Sequence, residues 1–256
     1  MLNFDDTTIT IILSAVSFLA GFIDSIAGGG GLLLVPSLLL AGLPPQVALG
    51  TNKFASSVGT GTALINFILK KKVVWKIAAS GIAFSLLGSF IGTKTILFFN
   101  NETVGRIIIF LLPLAMLITL IPQKERATGN EPSRFDITVK IPFICLFIGF
   151  YDGFFGPGTG SFLIIAFHIF IGLGLVQSSA TAKVFNLASN LGALTVFIMG
   201  GKVVYLLGIS LAIANIAGNY LGSNLAIKKG ANTVKFFLLL SLTILMISLI
   251  WKYTVE

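Results

Sequence analysis

Charge is what this sequence has least of. Acidic and basic side chains make up 10% of its 256 residues, against roughly 25% in soluble domains, whose surfaces must face water. So thin a supply excludes a soluble globular domain. The single cysteine, Cys145, lies in an apolar run, so neither a disulfide framework nor a thiol-based metal site can be read. With one histidine, His168, and no carboxylate cluster, the convergent nucleophile, base or metal shell of an enzyme is missing too. A P-loop motif is also absent, so no nucleotide bound in such a loop drives this chain, and no cofactor or metal is expected. Nor does the chain open like a cleavable signal: Asp5 and Asp6 replace the basic segment such a signal needs.

Apolar residues are in excess. They reach 55%, and the mean hydropathy is +1.00. Apolar stretches recur along the chain, many near the roughly 20 residues needed to cross a bilayer. The composition describes an all-α polytopic membrane protein whose main solvent is the lipid bilayer. A net charge of +8 would suggest a nucleic-acid partner in a soluble protein. Here the same lysines report topology, and no nucleic acid is expected.

Ten apolar segments are legible, at 8–28, 31–42, 47–68, 76–99, 104–121, 138–155, 158–174, 177–199, 202–225 and 233–251. One long polar stretch interrupts them, "PQKERATGNEPSRFD" at 122–136, with Pro, Gly and charges of both signs. It divides the chain into a first membrane repeat (1–121), a cytoplasmic linker (122–137) and a second membrane repeat (138–256). The two halves echo each other. "GFIDSIAG" at 21 matches "GFYDGFFG" at 149, which aligns Asp24 with Asp152 and Gly28 with Gly156. "TNKF" at 51 meets "TAKV" at 181, "KVVW" at 72 meets "KVVY" at 202, and "GSFIGTK" at 88 meets "GNYLGSN" at 218. Internal repeats around a midplane site are a habitual build of secondary transporters.

Each repeat interrupts an apolar helix with glycine beside an acid, "GGGG" at 28–31 and "GPGTG" at 156–160. Segment 31–42 is too short to span the roughly 30 Å hydrocarbon layer at about 1.5 Å per residue. The glycines therefore read as helix breaks within the membrane, tolerated only where the backbone is buried or lines a cavity. A break frees N–H groups at the start of the next helix, where the positive dipole end attracts anions. That makes Gly29, Gly30, Gly31, Gly158 and Gly160 candidate ligands of a small anionic solute. The competing role for glycine is close helix packing, for which the GxxxG spacings 88–92 and 218–222 are suited.

"GFIDSIAGGGG", followed by "LPPQVALGTNK" and a lysine cluster, resembles the TauE/SafE, or toluene-sulfonate uptake permease, family. "GFYDGFFGPGTGSF" is similar to the second repeat of that family. The resemblance covers nearly the whole chain. It implies a permease for sulfur-containing oxyanions such as sulfite or organosulfonates, without choosing substrate or direction. The family is usually described with about eight spans, where ten segments are read here. The expected location is the cytoplasmic membrane of a bacterium, multi-pass, with a homodimer as a candidate assembly.

Lys53 and Lys183 lie inside their helices beside Thr51 and Thr181. An ionisable group at membrane depth is a functional hypothesis by default, as anion ligand or gate, although a lysine stem can also snorkel to the interface. Asp24 and Asp152 have three readings: proton carriers, partners of those lysines, or caps for broken backbone. Hydroxyls and amides can donate to oxyanion oxygens without adding negative charge. Those placed for it are Ser25, Thr51, Asn52, Ser56 and Ser57 in the first half, and Thr159, Ser161, Thr181, Asn186 and Asn190 in the second. Lys94 has Asn224 as its counterpart and reads as interfacial, and His168 as a packing residue with a proton-relay alternative. A second functional reading stays open: a proton- or cation-coupled transporter of another small solute, resting on Asp24 and Asp152.

Loop charges bear on orientation. "LKKKVVWK" at 69–76 has four lysines where its copy "GGKVVY" at 200–205 has one, and "FNNETVGR" at 99–106 is poorer in bases than "KKGANTVK" at 228–235. Loops on one side should carry similar charge. Opposite differences are expected of inverted repeats, with an odd number of crossings in each half. Inversion also predicts cross-repeat pairing, Asp24 with Lys183 and Asp152 with Lys53.

Overall fold

The computed structural model describes residues 6–119, 132–230 and 236. Among the described residues the chain is helical and has no strand. Its helices are α1 (Asp6–Ala27), α2 (Gly31–Leu40), α3 (Pro45–Leu69), α4 (Trp75–Leu97), α5 (Asn101–Thr119), α6 (Ile141–Phe154), α7 (Thr159–Ala166), α8 (Leu175–Met199) and α9 (Tyr205–Lys229). A π-helical turn, Asp136–Lys140, leads into α6, and another, Phe167–Ile171, extends α7. These match nine of the ten expected segments to within a few residues; the tenth, 233–251, lies outside the described residues.

Among the described residues, five stretches are long and apolar enough to cross a membrane: Thr7–Ala27, Trp75–Leu97, Asp136–Phe154, Leu175–Met199 and Tyr205–Lys229. Helix α3, at 25 residues, is as long as α8 but more polar, and it buries Thr51, Asn52, Lys53, Ser57, Thr60 and Asn66. A helix can carry that many polar groups inside a bilayer only when protein surrounds them. The protein is a multi-pass cell-membrane protein.

Small residues set the closest helix contacts, as they do where lipid gives no hydrophobic drive between helices. On α9, Gly218 and Gly222 lie against the Phe18 and Phe22 carbonyls of α1. On α4, Gly88 and Gly92 lie against the Leu146 and Phe150 carbonyls of α6, while Gly149 and Gly153 of α6 meet Ser85 and Ser89 in return. A methyl group at any of these glycines would strike backbone. The loops after α3 and α8 are tied in the same paired way. The Val74 N–H donates to Thr181 Oγ1 at 3.1 Å, and the Val204 N–H donates to Thr51 Oγ1 at 3.1 Å.

The short helices turn back along their predecessors. Leu34 and Leu38 of α2 cluster with Leu13 and Ala20 of α1, and Leu163, Ile164 and Phe167 cluster with Ile141 and Cys145 of α6. At one end of the bundle Phe67, Val73 and Ala226 pack together, as do Ile77, Ile141 and their neighbours Val74 and Ile137. Lys70, Lys71, Lys72, Lys76, Lys140, Lys228 and Lys229 belong to these ends and loops, so these seven lysines gather on one side. The turns after α3 and α8 share a hydrogen-bond pattern: Lys71 and Lys72 N–H donate to Ile68 and Phe67 carbonyls, Gly201 and Lys202 N–H to Ile198 and Phe197. Both turns need a left-handed residue, Lys71 at φ 54° and Gly201 at φ 63°.

Candidate functional site

Helices α1 and α6 both end just after an aspartate because glycine follows. Gly28 has φ +79° and Gly156 has φ +94°, a region that glycine enters without steric penalty. Beyond these turns α2 and α7 begin, and the two breaks touch. A Cβ on Gly28 would overlap the backbone of Gly160 and Ser161, and one on Gly31 would press on Pro157 at 3.2 Å. Hydrogen bonds hold the junction: Ser161 Oγ donates to the Ala27 carbonyl at 2.7 Å, and Ser179 Oγ to the Ile26 carbonyl at 3.2 Å. Breaking the helix and packing the backbone, alternatives on the sequence, are the same feature at Gly28.

Two ion pairs flank this junction. Lys183 Nζ, on α8, stands 2.7 Å from Asp24 Oδ2 and also donates to the Asp24 main-chain carbonyl at 2.5 Å. Lys53 Nζ, on α3, stands 2.6 Å from Asp152 Oδ1 and donates to Asn190 Oδ1 at 2.9 Å. The pairing is the crossed one that inversion predicts. Burying isolated charges this way is expensive, and each pair offsets its own desolvation only because both members are present. Lys53, Asp152 and Lys183 are nearly inaccessible, whereas the Asp24 side chain keeps 15% exposure. Two lysines against two aspartates leave the site neutral.

Between the breaks lies a small polar cavity. Eleven of the residues singled out from the sequence line it: Asp24, Gly31, Asn52, Lys53, Ser56, Asp152, Gly158, Thr159, Gly160, Asn186 and Asn190. Gly29, Gly30, Thr51, Ser161, Thr181 and Lys183 are not on its wall. Thr51 and Thr181 spend their hydroxyls on the loop N–H groups, Ser161 on Ala27, and Lys183 on Asp24. Thr159 reaches the wall, but its hydroxyl donates to the Gly156 carbonyl at 2.6 Å. Ser25 and Ser57 likewise donate to carbonyls of their own helices, Phe22 and Lys53. Gly28 and Gly156 also line the cavity; the sequence marked them as aligned positions within the helix breaks but not among the candidate ligands. The signal for them was their constant spacing, four residues after each aspartate.

The groups set aside on the sequence stay apart from the cavity. His168 is buried, with Nδ1 2.7 Å from the Leu173 carbonyl. Lys94 is exposed, with its ammonium 4.7 Å from the Phe90 ring centre. On the wall, Lys53 has three N–H donors, two of them accounted for by Asp152 and Asn190. Asn52 and Asn186 add neutral amide donors to the wall, while the Ser56 hydroxyl donates to Asn52 Oδ1 at 3.4 Å.

Comparison with known proteins agrees with this architecture. The sulfite exporter TauE/SafE family profile matches residues 13–249. The chain is 37% identical to the "Probable membrane transporter protein YfcA" of Escherichia coli K12 over 228 residues, 88% of this chain and 83% of that one. It is 35% identical to a "Probable membrane transporter protein" of Haemophilus influenzae, over 88% of both chains. A shorter match, 29% identity over 43% of this chain and 26% of the other, is to "Sulfite exporter TauE/SafE family protein 6" of Arabidopsis thaliana. No solved structure matches significantly. A helical bundle with broken helices around a buried polar cavity, and a family match across most of its length, make this chain a membrane transporter that belongs to the TauE/SafE family.

Proposed function

We propose that the chain is a secondary transporter of small sulfur-containing oxyanions such as sulfite or organosulfonates, bound where the two glycine breaks meet. The observation that carries this reading is the cavity wall itself. It brings the starts of α2 and α7, at Gly31 and Thr159, beside the Lys53 ammonium and the amides of Asn52, Asn186 and Asn190. Helix N-termini carry partial positive charge and unpaired N–H groups, and broken helices in transporters aim them at anionic substrate groups. Each aspartate nearby is covered by a lysine, which blunts its repulsion of an anion. The test is uptake of labelled sulfite and of labelled isethionate into proteoliposomes. Saturable uptake of either, lost in Lys53→Ala at unchanged reconstitution, is expected; wild-type vesicles no more permeable than protein-free ones would end this reading.

The paired contacts support inverted repeats, 1–121 and 138–256, joined by a cytoplasmic linker at 122–137. Contacts between α1 and α9 mirror those between α6 and α4, and the two threonine-to-loop bonds run in opposite directions between the halves. By the positive-inside bias the lysine-rich end faces the cytoplasm. Single cysteines at Lys71 and Gly201, in a Cys145→Ser background, check this with an impermeant thiol reagent on intact cells. Position 201 should label and position 71 should not; equal labelling would mean parallel halves.

A second reading, transport of another solute coupled to protons or cations, is favoured by one observation. Asp152 Oδ2 is buried and has no hydrogen-bond partner among the described residues.

A further inference from the structure

The two ion pairs differ at the carboxylate. Asp24 presents Oδ2 to Lys183, and the same ammonium takes the Asp24 main-chain carbonyl, which also accepts the Gly28 N–H at 2.7 Å. Lys183 therefore caps the broken end of α1 and stands off the cavity wall. Asp152 presents Oδ1 to Lys53 and leaves Oδ2 bare while being 1% exposed. A buried anionic oxygen without a donor bears its full desolvation penalty, and this one belongs to a residue on the cavity wall.

The surroundings limit what can satisfy it. The charged or titratable groups facing Asp152 are Lys53 from α3, Asp24 from α1 with Lys183 of α8 behind it, and its neighbour Tyr151 on α6. Tyr151 donates its hydroxyl to the Pro157 carbonyl at 2.7 Å. Helices α4 and α7 bring hydroxyls only, Thr93 and Thr159, both donating to backbone carbonyls. A metal cation on this carboxylate would face an ammonium already 2.6 Å from it. A proton needs no coordination shell and can bind the one oxygen that Lys53 leaves bare.

We propose that Asp152, and not Asp24, is the proton-binding group of the cavity, and that its protonation releases the Lys53 charge to hold the anion. A proton from the cavity water forms an O–H bond at Oδ2, and the carboxylate becomes a neutral acid. Lys53 stays an ammonium, its ion pair reduced to a hydrogen bond, and its positive charge now balances one negative charge on the solute. The site is neutral before and after loading, with one proton taken up per monoanion. The anion half of this inference rests on the function proposed above; the proton half does not.

Linkage makes the prediction quantitative. If one proton accompanies each anion, affinity falls about tenfold per pH unit once Asp152 is ionised in the free protein. The probe is isethionate, whose charge is fixed, because sulfite takes up a proton itself near neutral pH. Calorimetric binding to the purified protein should weaken with rising pH in wild type and be nearly independent of pH in Asp152→Asn, which mimics the loaded acid. Infrared difference spectra between alkaline and acidic buffer, without any anion, should show a carboxylic-acid band in wild type and in Asp24→Asn that is missing in Asp152→Asn. If Asp152→Asn does not insert, Asp152→Glu serves, since the band must then move in frequency. A band that survives Asp152→Asn, disappears in Asp24→Asn, or is absent from every form overturns the proposal. The expected band with no isethionate binding at any pH supports the proton site and sinks the anion site instead.

Discussion

Lys183–Asp24 and Lys53–Asp152 are the same chemistry at matching places, with N···O distances of 2.7 and 2.6 Å. Their second contacts separate them. Lys183 turns its remaining donors inward, onto the carbonyl that ends α1, and is completely buried. Lys53 turns toward Asn190 and the cavity, beside a carboxylate with an oxygen to spare. A charge pair that also closes a helix end cannot be opened without opening the helix. One that borders polar space can be opened by whatever enters that space. Similar residues thus divide into a pair that closes a helix end and a pair that borders the cavity.

Removing each lysine should separate the two pairs most visibly. Lys183→Ala leaves Asp24 without a counter-charge and should destabilise the protein by about 3–5 kcal/mol, as removal of one member of a buried pair does. It should show as a large drop in thermal unfolding midpoint and in membrane level. Lys53→Ala strands a carboxylate on the cavity wall but leaves the end of α1 capped, so transport should disappear while the membrane level falls less. Equal folding damage from the two would erase the distinction. Charge reversal sharpens it. Lys53→Asp with Asp152→Lys should recover most of the folding lost in either single change. Lys183→Asp with Asp24→Lys should recover less, because the new lysine cannot cap the carbonyl from its own residue; comparing membrane levels of the six proteins checks both. The smallest effect belongs to the threonines. Thr51→Val and Thr181→Val each leave one loop N–H unpaired and should cost about 1 kcal/mol apiece, measured by unfolding in detergent with transport retained.

Hydropathy revealed most of the fold because the bilayer imposes one rule on every helix, and the interruptions at Gly28 and Gly156 were visible as composition. The pairing of Asp24 with Lys183 followed from opposite loop charges at 69–76 and 200–205, a long-range inference that needed no contact information. The site was less legible. Thr51 and Thr181 look like solute donors beside their lysines, yet each faces a loop of the other half. Sequence gives residue type and spacing, while the face of α3 or α8 that meets the cavity depends on how α4 and α9 cross them. Asn190 illustrates the same limit. It could be named as a polar donor, but its place on Lys53 depends on a contact spanning 137 positions.

The turns after α3 and α8 carry one last consequence. They have the same hydrogen bonds and the same left-handed residue, filled by Gly201 in one and by Lys71 in the other. For a residue with a Cβ that backbone is unfavourable by roughly 1–2 kcal/mol. Lys71→Gly should therefore raise the unfolding midpoint. The turn gives up conformational ease to keep a cation at the crowded basic end, so the address of each loop is written partly as strain.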